Sequence, residues 1–229
     1  MTEALRRQLA ALADPEYRDF QHSLLPGVEN YLGVRLPQLH KMAADLAKNG
    51  WQTEFAVPDE TFEECLLRGM VIGRLALPKE QLFALVRDYV PRIKDWCTCD
   101  TFCSVLKQVK LYKEDFYALA EEYCRSDDEF SARFGAVLLL RYYSGPETLP
   151  KALEAYKAIR CPAFYARMGR AWGYAEFAAV DFSATLAAMR AADLDDDTWN
   201  CALQKMRESR RILPEQKELC KQWKRNKRS

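Results

Sequence analysis

Apolar residues recur along the chain at helical spacing. Leu39, Met42, Ala43 and Leu46 fall at i, i+3, i+4 and i+7, one face of a 3.6-residue period. Pro37 stands at the expected first helical position, and Gly50 is expected to end the segment. Pro58-Asp-Glu-Thr predicts the start of a second helix bearing Phe62, Leu66 and Val71. Pro78-Lys-Glu predicts a third, bearing Leu82, Leu85, Val86 and Tyr89. Ser126-Asp-Asp-Glu129 has the spacing of a capping box ahead of a strongly apolar run. Ser144-Gly-Pro146 predicts a turn, and Asp181 and Asp195 are expected helix N-caps. Strict polar/apolar alternation over strand lengths is absent, so the predicted class is all-α.

The predicted helices, roughly 10 to 18 residues each, recur at about 35 to 40 residues per pair, the spacing of stacked helix pairs. The expectation is HEAT-like helical repeats forming a single curved α-solenoid with a concave face. No Gly/Ser-rich or Pro-rich linker divides the chain, so residues 1–229 are read as one domain. A hollow of that kind suits a long polymer better than a small metabolite.

Charge narrows the partner. The chain carries 34 basic and 33 acidic residues, which excludes a globally basic coat and requires a patterned basic face for any polyanion. The C-terminal end is one such pattern. Nine Lys or Arg fall between Arg207 and Ser229, Lys227 and Arg228 among them, and the basic tail over 217–229 is expected either as a frayed, solvated helix or as a polyanion contact. No apolar run reaches the ~20 residues of a membrane span, and no apolar stretch follows Met1, so the expected location is cytoplasmic and no membrane partner is expected. The eight cysteines read as free thiols. Cys97, Cys99 and Cys103 lack a zinc spacing and only two histidines exist, His22 and His40, so no metal is expected.

Phosphate-loop, dinucleotide, zinc-protease and nucleophile-elbow motifs are absent. Gly69-x-x-x-Gly73 reads as close helix packing. Three segments place polar groups in apolar helices. In the first, Trp96 and Asp100 are i and i+4 and share a face, followed by Lys107 and Lys110. The competing reading is a capping aspartate beside a packing tryptophan. In the second, Arg133 lies in Phe130–Leu140, apolar nearly all round, and needs an anionic partner or an open groove. A structural salt bridge is the alternative. In the third, Tyr165, Met168, Gly169 and Trp172 share a face; Trp172 as plain core is the alternative there.

Taken together and in order, these segments resemble the DNA alkylation repair family, the AlkD-like HEAT-repeat glycosylases. Leu32-Gly-Val-Arg-Leu-Pro37 with Leu39-His-Lys-Met-Ala is similar to an early family segment. Trp96-Cys-Thr-Cys-Asp100 is similar to the family's Trp…Asp segment, in the branch with cysteine before the aspartate. Glu129-Phe-Ser-Ala-Arg133-Phe-Gly-Ala-Val, Ala171-Trp172 and Asn200-Cys-Ala-Leu-Gln-Lys-Met-Arg-Glu-Ser209 resemble later ones. The resemblance implies a DNA glycosylase that hydrolyses the N-glycosidic bond of N3- or N7-alkylated purines. It implies Asp100, Trp96 and Trp172 as catalytic residues lining a DNA-facing cleft with Arg133. Lys107, Lys110, Arg170 and Arg210 are further expected DNA contacts. It implies double-stranded DNA with alkylated purines as partner, no cofactor and no obligate protein partner, with nucleoid association when bound. The alternative is a catalytically inactive DNA-binding or scaffold protein on the same fold. A carboxylate and two indoles from three separate helices are expected to converge in the hollow of the stack.

Overall fold

The computed structural model describes residues 1–226; Lys227 and Arg228 of the basic tail lie outside the described residues. Among these the protein is all-helical, with fourteen α-helices, two short 3₁₀ turns and no strand. No described helix is long and apolar enough to cross a membrane. The chain divides into two compact units, the first Met1–Tyr112 and the second from Lys113 on.

The first unit holds α1 (Glu3–Ala11), α2 (Pro15–Leu24), α3 (Leu36–Leu46), α4 (Trp51–Phe55), α5 (Phe62–Ile72), α6 (Lys79–Tyr89) and α7 (Trp96–Val105). Here α5 packs on α3, α6 and α7. It is buried on every side from Phe62 to Ile72 except at Cys65, and even Glu63 and Glu64 are inside. The Glu63 carboxylate accepts N–H bonds from Leu32 at 3.0 Å, Gly33 at 2.7 Å and Val34 at 3.3 Å. It thereby satisfies the backbone of the segment that leads into α3. The two expected packing glycines behave so: a Cβ at Gly69 would run into the Tyr89 ring, and one at Gly73 into Val105.

The second unit holds α8 (Lys113–Cys124), α9 (Glu129–Tyr142), α10 (Leu149–Tyr156), α11 (Phe164–Ala178), α12 (Phe182–Ala191), α13 (Asp196–Glu208) and α14 (Pro214–Gln222). Alternate helices form a row: α9 packs on α11, and α11 on α13. These three start at Glu129, Phe164 and Asp196, about 30 to 35 residues apart, the helical-repeat arrangement expected. The whole stretch Phe130–Leu140 of α9 is buried, as its apolar circumference requires.

Several boundaries differ from expectation. Pro37 is the second residue of α3, which ends at Leu46, and Gly50 (φ 87°) instead opens the short α4. The start of α5 falls after Thr61, because Asp59 is engaged by Arg68 at 2.6 and 2.8 Å and Glu60 donates its N–H to Glu64. The cap of α9 is Asp128, which accepts from the Ser131 N–H at 2.9 Å, while Ser126 supports the Asp128 N–H. Asp181 and Asp195 cap α12 and α13 as expected.

The basic tail is docked as far as Arg225. Trp199 donates its indole N–H to the Trp223 carbonyl at 2.9 Å. Asn200 and Arg225 exchange bonds at 2.8 and 2.9 Å, and the Arg225 guanidinium covers the Trp199 ring at 4.2 Å. Such a paired amide and cation–π contact holds a charged segment that composition alone reads as frayed.

Candidate functional site

Helix α7 begins where Asp95 caps it. The Asp95 carboxylate accepts from the Thr98 N–H and from the Thr98 hydroxyl, each at 2.7 Å. Burial raises its pKa against the lowering effect of those bonds. Since Asp95 supplies the cap, Asp100 stands in the body of the helix, one turn beyond Trp96. That excludes the reading of Asp100 as the capping aspartate. The spacing Asp95…Thr98, an N-cap and its N3 partner, was the signal available in the sequence.

Trp96 is half-buried against the apolar core of the first unit, and its indole N–H donates to the Leu24 carbonyl at 3.3 Å. Asp100 is half-buried one turn further on. Cys99 and Cys103 are fully buried, behaving as small apolar residues. Burial pushes the Cys97 thiol up to about 12, so that group stays a neutral thiol rather than a thiolate nucleophile.

In the second unit α9 and α11 position Arg133 and Trp172. Arg133 is 6% exposed and donates from Nη1 to the Tyr165 carbonyl at 2.9 Å. Tyr165 is itself held by its N–H on the Glu129 carboxylate at 2.5 Å and by stacking on Phe130. The arginine stem lies over Gly169, where an added Cβ would approach its Cγ to 3.2 Å. Glu129, Tyr165 and Gly169 are therefore positioning residues for Arg133. Only a packed pair of helices reveals them. Trp172, half-buried, follows Gly169 on α11.

The four further cations differ. Lys107 and Lys110 are exposed around the 3₁₀ turn after α7, and Arg210 is exposed between α13 and α14. Arg170 is buried. Its guanidinium sits 5.9 Å from the Tyr174 ring, its Nε and Nη2 have no hydrogen-bond partner among the described residues, and burial pushes its pKa down. Its place is inside the helix row of the second unit, not on an outer face.

The family model described as DNA alkylation repair enzyme matches residues 5–159. The match takes in Trp96, Asp100 and Arg133 and ends before Trp172 and Arg210. Neither the curated proteins nor the solved structures contain a match.

Proposed function

As the chain belongs to the DNA alkylation repair family, we propose that it is a glycosylase releasing N3- and N7-alkylated purines from double-stranded DNA. The observation that carries this reading is the register of α7. Asp95 takes the cap, so a carboxylate and an indole are left one turn apart on the helix body.

The chemistry suits those groups. Alkylation makes the purine cationic, so it departs as a neutral base taking the electron pair of the C1′–N bond. The sugar gains oxocarbenium character as that bond breaks. Asp100 stabilises the positive sugar and orients the water, whose oxygen bonds to C1′ and whose proton leaves through the carboxylate to solvent. Trp96 and Trp172 offer ring faces to the cationic base and sugar, at ~0.5 to 2 kcal/mol each. Arg133 presents its fork to a flanking phosphate. Lys107, Lys110 and Arg210 add counterion-releasing contacts. Nothing in the reaction calls for a metal or cofactor, and the expected setting is nucleoid DNA in the cytoplasm.

The test is direct. Purified protein incubated with methylated DNA should release 3-methyladenine or 7-methylguanine, scored by chromatography, above the buffer rate. It should also bind duplex with an affinity that falls as salt rises. Duplex binding without release would favour the non-catalytic DNA-binding or scaffold alternative.

A milder prediction concerns Gly169. In Gly169→Ala the new methyl meets the Arg133 stem, and the guanidinium shifts by a few tenths of an ångström or more. Stability should change by no more than about 1 kcal/mol. Base release should fall by about tenfold, since misplacing a contact group by even an ångström costs up to 10²-fold. Unchanged release would separate Arg133 from the reaction.

A further inference from the structure

Helix α7 leads from Trp96 and Asp100 to a cleft at its other end. Ser104 is one turn beyond Asp100, and Lys107 follows in the 3₁₀ turn. A cleft of about 600 Å³ opens there, lined by His40, Arg74, Ser104, Lys107, Gln108 and neighbouring backbone. Gly73 lets the end of α5 lie directly on Val105 and so forms the floor. Gln108 donates from Nε2 to the Leu75 carbonyl at 2.8 Å, which clamps the turn that carries Arg74.

The lining holds cations and donors and no carboxylate. Arg74 donates from Nη1 to the Met70 carbonyl and from Nη2 to His40 Nδ1, each at 2.7 Å. Among the described residues it forms no ion pair with an acidic side chain. Because Nδ1 accepts from a guanidinium that cannot release its proton, the tautomer of His40 is set, and its Nε2 carries the hydrogen. Lys107 is exposed, and among the described residues its ammonium forms no ion pair with an acidic side chain. A half-buried arginine without a counter-ion, an imidazole held as a donor and an open lysine make an anion receptor. Burial, and next the Arg74 charge, push the His40 pKa down.

We propose that this cleft binds a phosphate of the DNA strand, with Arg74 and Lys107 supplying charge and His40 Nε2 a third donor. Assigning the phosphate to DNA rests on the repair function proposed above. From Asp100 to the end of α7 at Val105 is about 7.5 Å of helix, roughly two nucleotides of one strand, and Lys107 follows beyond the non-helical Leu106. A phosphate held here fixes the strand relative to Asp100 without any contact to the damaged base.

The experiment uses full-length protein and a short undamaged duplex, so base release plays no part. Lys107→Gln and Arg74→Gln should each weaken duplex binding about tenfold at low salt. Each should reduce the slope of log affinity against log salt by about 1. Lys107→Gln guards against a folding defect, since its side chain is exposed. In parallel, the ring resonances of the two histidines are titrated with pH, with and without duplex. His40 should move upward in pKa on binding, towards the ordinary ~6.5, because the bound anion favours imidazolium, while exposed His22 serves as the internal reference. The facing charges, Arg74 and Lys107, are the same in both titrations. Wild-type-like affinity and slope in both variants overturn the proposal. So does a His40 shift with inorganic phosphate that duplex fails to produce. Altered duplex binding in a protein that releases no base would sink the glycosylase reading and leave this site standing.

Discussion

Asp100→Asn is expected to reduce release of methylated purines by about 100-fold or more while leaving duplex affinity within about twofold. The substitution keeps the shape and one acceptor oxygen and removes the negative charge together with the ability to take a proton. That charge matters where positive charge develops on the sugar as the bond breaks, so the loss falls on the transition state. Deleting one preorganised electrostatic partner of this kind costs about 10² to 10³ in rate. Binding of undamaged duplex depends instead on phosphate neutralisation, and losing an anion near the backbone should if anything strengthen it. Asp95→Asn is the control. Asp95 caps α7 through Thr98 and is buried, so its variant should lower stability and spare most of the activity of the folded fraction. If Asp100→Asn releases base at the wild-type rate, the carboxylate is not part of the chemistry.

The largest stability effect is expected at Glu63. Its carboxylate is fully buried and receives the N–H groups of Leu32, Gly33 and Val34. Glu63→Ala orphans all three at once and opens a cavity under α5. Each buried unpartnered N–H costs about 1 to 3 kcal/mol, so the summed loss should be at least about 3 kcal/mol. Glu63→Gln keeps one acceptor oxygen and should lose markedly less. The measurement is the shift in denaturant midpoint at unchanged m-value. A loss below about 1 kcal/mol in Glu63→Ala would mean that the 32–34 segment is held by its apolar contacts alone. The segment matters to the rest because Arg35, which follows it, pairs with Asp14 at 2.7 Å and opens α3, the helix that carries His40.

Which features the sequence made legible follows from the range of the forces involved. The helices were legible because apolar periodicity and aspartate capping are local, and Asp181, Asp195 and Pro78 act within one turn of themselves. The register of Trp96 and Asp100 was legible for the same reason. The start of α5 was not, since Asp59 is drawn into a pair with Arg68 that only the folded packing creates. The two interior arginines show the limit most clearly. Arg133 and Arg170 both sit in helices apolar on nearly all sides, and spacing alone cannot say which of their carbonyl, ring or anion partners lies across the interface. Gly169 carries no chemical signal until Arg133 is seen lying on it. The cleft at His40 and Arg74 joins residues from α3, the end of α5 and the turn after α7, a combination no linear motif contains.

The row of alternate helices in the second unit has a consequence for how that unit acquires its structure. Each member of the row rests mainly on helices next to it or one removed along the chain, so few contacts demand that distant parts meet first. Chain-closure entropy is correspondingly small, and topologies of this sort reach the native state quickly. Order can spread from neighbour to neighbour, as in other stacked arrays, and can begin while later helices are still emerging from the ribosome.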